Sequence, residues 1–448
     1  MLTQRGPLFG TDGVRGKANT ELTADLALGL ARAAGEGTGG TALIGRDTRR
    51  SGQMLAAALI AGFHSVGVDT VDAGIVPSGA VSALAREIGA SYGVLVSASH
   101  NPADDNGIKF FGRDGSKLSD EREAAIEQRV RRGEPWQLVR GHAIGMGQEM
   151  RDAVNRYVDG LAGSMPYTLN GFELIIDCAN GAAFQAAPLL FTRLKADVQT
   201  FAAEPDGTNI NFQSGATHPE YLARRTEGRL GLAFDGDADR FVAIDEEGVP
   251  ANGDVVMAVI ADHLKRSGKL RNNLVVVTVM ANLGFRRAME RLGIEVVETA
   301  VGDRYVIEAM RKHRAELGGE QSGHVVFEDR TTGDGLRTAL RLLEVMAATG
   351  KPLTELRTVI EEFPQVLRNV AVASRDAVEG AAHLWDAVAE AAAELGERGR
   401  VLVRPSGTEP VVRVMVEAPT APEAAAMADR LAAVVRAELG TGTGAAVG

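Results

Sequence analysis

Residues 172–201 read FELIIDCANGAAFQAAPLLFTRLKADVQTF, and this stretch decides the fold. An apolar run ends in a polar Asp-Cys-Ala-Asn-Gly loop, a helical pattern follows, and a second strand-like run, ADVQTF, closes the unit. A short apolar run bounded by turn residues is typical of a strand buried in a parallel sheet. The stretch therefore predicts a strand–helix–strand unit with a polar loop after its first strand.

The same plan occurs twice more along the chain. TALIGRDTRRSG (41–52) precedes a helical pattern and VDTVDAG (68–74), and LVVVTVMANLGFRRAMERLG (274–293) precedes IEVVETAVG (294–302). Three such copies predict three serial βαβ domains with mostly parallel, buried sheets rather than a short repeat array. The GRDTR loop of the first copy is expected to position its neighbours without taking part in chemistry.

The last part of the chain has a different pattern. Helix-forming residues 381–395 and 423–439 flank the strand-like VRVMVEA (412–418), which predicts a smaller α+β domain. Breaks near 141–150, 246–254 and 361–366 then separate the chain into four predicted domains. These are three α/β domains over 1–150, 151–252 and 253–365, and the α+β domain over 366–448.

Composition excludes several classes of partner and site. The 448 residues are 45% hydrophobic, and 48 basic against 59 acidic side chains give a net charge of −11 without a basic block. This argues against nucleic acid as a partner, because phosphate backbones require clustered positive charge. One cysteine, Cys178, excludes a disulfide framework and fits a reducing compartment. With no run long enough to span a bilayer and no apolar leader, we predict a cytoplasmic protein without a membrane partner.

The first candidate site is VSASHNPADDNGIKF, residues 96–110, which follows the apolar YGVLV. It gathers two hydroxyls, an imidazole, several Asn and Asp side chains and a lysine directly after a predicted strand. Either this is a polar surface turn, or one serine, Ser97 or Ser99, is held out as a nucleophile. The stretch alone leaves both interpretations open.

The second candidate is DGDADR, residues 235–240, between two strand-like runs. Asp235, Asp237 and Asp239 alternate, so their carboxylates can converge on one hard cation such as Mg²⁺ if the loop curls. An EF-hand loop would need a glycine where Arg240 stands, and helices where the flanks look like strands. Magnesium-type binding is therefore favoured over an EF-hand and over a solvated acidic turn.

Three further loops are weaker signals on their own. GGEQSGH (318–324) lets backbone approach a small polar ligand, and LFGTDGVRG (8–16) places Arg15 in a glycine-rich loop. RPSGTEP (404–410) offers a guanidinium, two hydroxyls and backbone N–H groups, which together suit a phosphate. Each could equally be a polar turn.

In this order, LFGTDGVRG, SASHNP, DGDADR, GEQSGH and RPSGTEP make the chain resemble the α-D-phosphohexomutase superfamily over nearly its whole length. The resemblance implies four domains around a central cleft, three α/β domains of shared topology with mixed, mostly parallel sheets and a C-terminal α+β domain. It implies that Ser99 is a phosphoserine and that its oxygen completes a Mg²⁺ site. Asp235, Asp237 and Asp239 match the family's Mg²⁺ ligands, and Glu320 and Ser322 match its sugar contacts. The family's phosphate contacts are matched by Arg404, Ser406, Gly407, Thr408 and Arg413.

GEQSGH, the N-terminal LFGTDGVRG and DNGIKFFG (105–112) resemble the bacterial branch that acts on glucosamine phosphates. That likeness implies interconversion of glucosamine 6-phosphate and glucosamine 1-phosphate through glucosamine 1,6-bisphosphate. The reaction would feed the synthesis of UDP-N-acetylglucosamine and so of the cell wall. Relatives are commonly dimers, so a homodimer is possible. The branches acting on glucose or mannose phosphates are the alternative.

Proton transfer and charge stabilisation also need residues. We predict Lys109 and His324 as the acid–base pair, with His100 as a competitor that more often braces such a loop. Arg15 and Arg240 are predicted to stabilise transition-state charge. Two further classes stay open from the residues: a metal-dependent phosphatase using Asp235 as nucleophile, and a sugar-phosphate sensor without activity.

Overall fold

The computed structural model describes residues 7–10, 12–133, 135–375, 377–406 and 410–440. Its α-helices are α1 (Ala24–Gly35), α2 (Gly52–Ser65), α3 (Ser78–Glu87), α4 (Asp120–Arg132), α5 (Ala153–Ala162), α6 (Ala183–Arg193), α7 (Glu220–Ala223), α8 (Gly253–Arg266), α9 (Leu283–Leu292), α10 (Asp303–His313), α11 (Gly335–Thr349), α12 (Leu353–Leu356), α13 (Ala382–Leu395) and α14 (Ala421–Leu439). None of these described helices is long and apolar enough to cross a membrane.

The strands belong to four sheets. They are β1 (Phe9–Gly10), β2 (Gly13–Lys17), β3 (Thr41–Arg46), β4 (Asp69–Ile75), β5 (Tyr92–Val96), β6 (Asp105–Phe111), β7 (Gly147–Glu149), β8 (Glu173–Asp177), β9 (Asp197–Phe201), β10 (Leu230–Phe234), β11 (Phe241–Ile244), β12 (Pro250–Ala251), β13 (Leu274–Thr278), β14 (Glu295–Thr299), β15 (Leu317–Gly319), β16 (Val325–Phe327), β17 (Gln365–Ala371), β18 (Arg400–Pro405) and β19 (Val411–Glu417). The sheet orders are β1-β2-β6-β5-β3-β4-β7, β12-β11-β10-β8-β9, β14-β13-β15-β16 and β17-β19-β18.

Each predicted strand–helix–strand unit is present in the structure. The pairs β3–β4, β8–β9 and β13–β14 are parallel, as a crossover through a helix requires. Their leading strands are almost wholly buried, which explains why they read as continuous apolar runs. Antiparallel partners such as β6, β11 and β16 complete these mixed sheets.

The chain forms two compact units, and the first contains residues 1–280 and 293–359. Its three mixed sheets carry the segments 96–110, 235–240 and 318–324 directly after β5, after β10 and across the β15–β16 hairpin. Polar loops at the carboxyl ends of such strands are where open α/β sheets bind ligands. The segment around 141–150, where a break was expected, contributes β7, which pairs in parallel with β4.

The second unit contains residues 281–292 and 360–448. Its three strands are antiparallel, and α13 and α14 supply apolar side chains to its own core. Helix α9 belongs to this unit although the sequence places it between β13 and β14. Gly284 allows the approach, because a Cβ there would lie 1.9 Å from the Glu361 carbonyl oxygen. The Leu283 N–H also donates to Glu417 Oε2 at 3.0 Å.

The predicted fold class, with mixed and mostly parallel sheets followed by a C-terminal α+β domain, is confirmed. The four exact domain boundaries stay a prediction.

A buried carboxyl in the first unit makes stability depend on pH. Glu123 in α4 is 5% exposed, and its Oε1 has no hydrogen-bond partner among the described residues. Burial, opposed by Lys117 and reinforced by Asp303, raises its pKa from 4.5 to about 7. The unfolded chain therefore binds fewer protons between these values, and stability falls as pH rises from 4.5 through about 7.

Glu123→Gln is accordingly expected to be more stable than the parent at pH 8, by about 1–3 kcal/mol, and nearly equal to it at pH 4.5. Urea unfolding at both pH values measures the difference. Glu121→Gln, an exposed change on the same helix, is the control. An equal effect of Glu123→Gln at both pH values would contradict the titration of Glu123.

Candidate active site

Ser99 lies in the turn between β5 and β6 and is only 1% exposed. Its φ is 50°, in the left-handed region that a residue with a Cβ rarely adopts. Such a conformation costs about 1–3 kcal/mol and persists only where surrounding contacts impose it. The turn is therefore built to hold this one serine in a specific direction, and Ser97 instead lies behind it, with its Oγ accepting the Ser99 N–H at 2.9 Å.

The hydroxyl of Ser99 is directed at the DGDADR loop. Its Oγ donates to Asp235 Oδ2 at 2.6 Å and lies 3.5 Å from Asp239 Oδ1. Strands β10 and β11 form an antiparallel hairpin in which Phe234 pairs with Phe241, so the six residues between them form its closing loop. Ligand oxygens of Asp235, Asp237 and Asp239 all lie within 4.8 Å of one another.

These three carboxylates suit a hard divalent cation. Burial and then the neighbouring carboxylates raise the pKa of Asp235 and Asp237, because three negative charges in a dry loop repel one another. Asp237 Oδ1 is also buried without a hydrogen-bond partner among the described residues. An all-oxygen donor set with an orphaned carboxylate oxygen fits Mg²⁺. Glu246, the twelfth position of an EF-hand, instead accepts the Leu353 and Thr354 N–H groups, so it belongs to no such loop.

Lys109 supplies positive charge to the same cluster. Its Nζ lies 2.9 Å from Asp12 Oδ2, 3.0 Å from Asp237 Oδ2 and 3.3 Å from Asp239 Oδ2. Burial alone would lower the pKa of Lys109, but these three carboxylates raise it well above its ordinary value. Burial likewise opposes ionisation of Asp12, yet Lys109 and Arg15 hold the pKa of Asp12 well below its usual range. Lys109 is therefore a buried ammonium at neutral pH, which supplies positive charge and cannot act as a base in that state.

Lys109→Met is expected to destabilise the metal-free protein by about 3–5 kcal/mol, because the buried Asp237 and Asp239 and the partly exposed Asp12 lose their shared cation. The loss should shrink when Mg²⁺ is added, since a bound cation restores neutrality. Urea unfolding with chelator and then with Mg²⁺ measures both values. Lys17→Met, which breaks the exposed pair to Asp105, is the matched control and should cost less than about 1 kcal/mol. Equal losses in the two variants would contradict the role of Lys109.

The two histidines of the predicted site differ in charge. His100 Nδ1 lies 3.4 Å from Ser99 Oγ, and burial, then Arg240 and Arg15, lowers the His100 pKa to about 4. His324 Nδ1 lies 3.7 Å from Asp239 Oδ2; burial opposes its protonation, but Asp239 raises its pKa to about 9. The Gly333 N–H donates to His324 Nε2 at 3.1 Å, which describes a neutral imidazole with its proton on Nδ1. Protonation of His324 would therefore break this hydrogen bond.

Two arginines, Arg15 and Arg240, also belong to the site around Ser99. Arg15 pairs with Asp12, and the Arg240 N–H donates to Asp235 Oδ1 at 3.1 Å. The Nε atoms of both arginines are buried and have no hydrogen-bond partner among the described residues. Buried donors of this kind normally find an acceptor, and guanidinium groups suit an anionic one.

A backbone hydrogen bond connects the GGEQSGH hairpin to Phe241, which directly follows the DGDADR loop. The Phe241 N–H donates to the Gly323 carbonyl at 3.1 Å, and a Cβ on Gly323 would lie 2.2 Å from the Phe241 oxygen. Glu320 Oε1 accepts the Gly302 N–H at 3.0 Å, while Ser322 Oγ donates to Glu320 Oε2 at 3.2 Å. Glu320 and Ser322 thus share one polar surface next to the loop that contains Arg240.

The RPSGTEP segment belongs to the second unit and is described within it. Arg404 and Arg413 are direct cross-strand partners in the β18–β19 pair. Two like charges directly opposite repel each other, and a phosphate bound between them would relieve that repulsion. The Ser406 N–H donates to the Val411 carbonyl at 2.9 Å. Gly407 and Thr408 lie outside the described residues.

Thus the described structure brings together, within the first unit, the predicted residues Ser99, His100, Lys109, Arg15, Asp235, Asp237, Asp239, Arg240, Glu320, Ser322 and His324.

Comparison with relatives shows the family of the chain. The chain is 52% identical over 423 residues to the phosphoglucosamine mutase of Desulforudis audaxviator, with 92% of this chain and 94% of that one covered. It is 49% identical over 451 residues to that of Streptomyces griseus, covering 97% and 100%. The chain belongs to the phosphoglucosamine mutase family. The phosphoglucosamine mutase of Listeria monocytogenes is 48% identical over 446 residues, covering 97% and 99%.

Family models and solved structures agree with membership of the phosphoglucosamine mutases. Models of phosphoglucomutase/phosphomannomutase alpha/beta/alpha domains I, II and III match residues 6–136, 155–248 and 252–363, and the C-terminal domain matches 367–434. A phosphoglucomutase/phosphomannomutase family protein from Burkholderia thailandensis has a TM-score of 0.81 at 26% identity, covering 98% of each chain. Aspergillus fumigatus N-acetylphosphoglucosamine mutase, solved with GlcNAc-6P and magnesium, has a TM-score of 0.69 at 20% identity, covering 96% of each chain, which shows the fold alone.

Sequence reasoning missed several residues of this phosphoglucosamine mutase family site. Asp12 pairs with both Arg15 and Lys109, and its signal was present as a carboxylate inside the same glycine-rich LFGTDGVRG loop. Asn211 donates to the Ser99 carbonyl from a loop more than one hundred residues away. Nothing in the pattern around Asn211 announces that contact.

Proposed function

We propose that the chain interconverts glucosamine 6-phosphate and glucosamine 1-phosphate through a phosphorylated Ser99. The observation that supports this most strongly is the 2.6 Å contact from Ser99 Oγ to Asp235 within a buried three-carboxylate loop. Few other arrangements need a strained, buried serine beside so much negative charge. Membership of the phosphoglucosamine mutase family supports glucosamine phosphate as the substrate.

In the proposed reaction, phospho-Ser99 transfers its phosphoryl group to O1 of glucosamine 6-phosphate. The P–Oγ bond breaks, the P–O1 bond forms, the O1 proton passes to a base, and Ser99 Oγ takes up a proton. The intermediate, glucosamine 1,6-bisphosphate, then reorients in the site and transfers its 6-phosphoryl group to Ser99. Glucosamine 1-phosphate is left as the product. The phosphoserine is thereby regenerated, and no net phosphate is consumed.

Asp235, Asp237 and Asp239, with a phosphoserine oxygen, would hold Mg²⁺. Bound there, Mg²⁺ would neutralise the carboxylates and polarise the phosphoryl group. Around it, the chain's own cations act on the same charge: Lys109 balances the carboxylates, and Arg15 and Arg240 face the anion with buried donors. Such fixed positive groups favour the transition state because they need no reorganisation when charge shifts.

For proton transfer, the protonation states divide the candidates. The raised pKa values of Lys109 and His324 keep both groups protonated at neutral pH. His324, with a pKa of about 9, gives up its proton more readily than Lys109, whose pKa lies well above the ordinary lysine value. His100 is neutral at pH 7, lies 3.4 Å from Ser99 Oγ, and is the candidate base when Ser99 accepts the phosphoryl group. We therefore propose Lys109 and His324 as donors and give His100 more weight than its position beside the nucleophile suggested.

Substrate contacts follow from the remaining loops. We propose that Glu320 and Ser322 hydrogen-bond sugar hydroxyls, and that Arg404, Ser406, Gly407, Thr408 and Arg413 bind the phosphate that is not being transferred. The opposed Arg404 and Arg413 in β18 and β19 support that assignment. A cytoplasmic location, a homodimer and the domain limits 1–150, 151–252, 253–365 and 366–448 also stay proposals.

One experiment separates this function from its alternatives. Intact mass should show one phosphate that maps to Ser99, and glucosamine 6-phosphate should be turned over faster than glucose or mannose 6-phosphate. Equal or faster turnover of the neutral sugars would favour a phosphoglucomutase or phosphomannomutase. Net phosphate release without isomerisation would indicate a phosphatase, and binding without either would indicate a sensor.

A further inference from the structure

The backbone of Ser99 is held by one side chain of its own turn and by two from outside it. Its carbonyl oxygen accepts from Arg49 Nη2 at 2.9 Å and from Asn211 Nδ2 at 2.8 Å, and its N–H donates to Ser97 Oγ at 2.9 Å. Neither flanking strand satisfies these groups. The left-handed φ of 50° is thus imposed on both sides of the residue by three side chains.

Arg49 grips the whole turn. Besides Ser99, its guanidinium donates to the carbonyl oxygens of Asn101 at 2.8 Å, Asp105 at 3.0 Å and Pro102. Four carbonyls over seven residues therefore converge on one planar donor, and a lysine could not satisfy this fork because it has three donors on a single atom.

Asp47 in turn fixes Arg49. Its Oδ2 accepts from Arg49 Nε at 2.8 Å and from Ser97 Oγ at 2.7 Å, and its Oδ1 accepts the Arg49 N–H at 2.9 Å. Both side chains of the Asp47–Arg49 pair are 0% exposed. Burying an ion pair is expensive and gains nothing by itself, so a pair kept fully dry beside the nucleophile suggests a purpose other than stability.

Two loops of the second sheet also contact the Ser99 turn. Asn211 itself has a φ of 59°, and its amide also reaches the Asn101 carbonyl at 3.2 Å. Gly236 of the metal loop packs so closely that a Cβ there would lie 2.5 Å from the Ser99 oxygen. The nucleophile turn is therefore clamped between the first βαβ loop, residues 47–49, and two loops of the second sheet.

We propose that Asp47, Arg49 and Asn211 are positioning residues that keep Ser99 in its left-handed conformation and so direct its hydroxyl at the Asp235 carboxylate. Arg49 and Asn211 act through the backbone of Ser99, because both donate to its carbonyl oxygen. Asp47 acts through Arg49 and Ser97, from which it accepts hydrogen bonds. This inference rests on the proposed function of Ser99 as the phosphoryl carrier.

Arg49→Lys and Asn211→Gly test the proposal. Lysine keeps the charge beside Asp47 but loses the fork, and glycine tolerates the positive φ of Asn211 but loses the amide donor. We expect kcat to fall about 10- to 100-fold with KM nearly unchanged, because a small displacement of a reacting atom has effects of that size. Arg46→Lys is the matched control: it alters the ion pair between Arg46, the last residue of β3, and Asp72 in β4, and it should leave kcat unchanged.

A crystal structure of each variant supplies a readout independent of turnover. In each variant structure, the φ of Ser99 should leave the left-handed region. The distance from Ser99 Oγ to the Asp235 carboxylate should be longer than a hydrogen bond allows. Wild-type kcat in both variants, or an unchanged Ser99 conformation, would overturn the proposal. If Arg49→Lys does not fold, Asn211→Gly decides alone. Failure of the proposed function looks different, because the parent protein would then carry no phosphate on Ser99 and turn over no sugar phosphate.

Discussion

Ser99→Ala is expected to abolish mutase turnover, with kcat reduced by about 10⁴-fold or more. The reason is that alanine removes the atom that carries the phosphoryl group between the two half-reactions, and no second hydroxyl takes its place. Ser97 cannot substitute, since its Oγ is buried, donates to Asp47 and accepts the Ser99 N–H. A coupled assay with glucosamine 6-phosphate, together with intact mass, measures both the turnover and the covalent phosphate.

Ser97→Ala is the informative companion to this variant. It removes a neighbouring hydroxyl of the same turn and is expected to keep a phosphate on Ser99, although with slower turnover. The carrier assignment would be wrong if Ser99→Ala retained turnover, or if its phosphopeptide mapped to Ser97. Survival of phosphate release in Ser99→Ala would instead point to hydrolysis that starts from Asp235.

Removal of divalent metal is expected to reduce turnover by about 10³-fold or more, which corresponds to the several kcal/mol of charge stabilisation that a bound cation supplies. A phosphoserine adds a charge of about −1.5 to −2 next to three carboxylates. Lys109 alone cannot balance that sum, although it contacts Asp237 and Asp239. Chelation followed by titration with Mg²⁺ measures the loss and its recovery.

Thermal unfolding gives a second readout that does not depend on activity. Mg²⁺ should raise the midpoint of the parent protein by mass action, because it binds the folded carboxylate loop. Asp239→Asn should lose most of that rise, whereas Asp245→Asn, which changes an aspartate just after β11, should keep it. Full activity in chelator, or an equal Mg²⁺ response in both variants, would exclude the metal role of this loop.

The sequence predicted the parts of the fold that depend on local pattern. The three βαβ units appear where apolar runs alternate with helical periodicity, and β8–β9 keeps an uninterrupted parallel register from Glu173–Asp197 to Asp177–Phe201. It did not predict that β7 joins the far edge of the first sheet or that α9 packs with the second unit. Strand order and helix docking depend on distant partners, which periodicity within one segment does not encode.

The candidate site divides along the same line. Alternating aspartates in DGDADR indicated a metal loop because the spacing of like charges is itself a local fact. Residue types in the SASHNP turn could not decide between Ser97 and Ser99, nor between a turn and a nucleophile. The family resemblance chose Ser99, and the geometry agrees with that choice because only Ser99 is directed at Asp235.

By itself, then, the sequence determined the secondary-structure units, the chemical type of each loop and, through the combination of its motifs, the superfamily. Only the tertiary structure decided which charged groups lie close enough to shift each other's pKa, and which side chains hold Ser99 in its strained backbone conformation. It placed Lys109 among three carboxylates, which raise its pKa, and it placed Asp12 beside Lys109 and Arg15, which lower the pKa of Asp12. It also brought Arg49 and Asn211 onto the Ser99 carbonyl. The physical reason is that pKa values and backbone strain are set by distances of a few ångströms in space, and residues 99 and 235 are brought that close only when the chain folds.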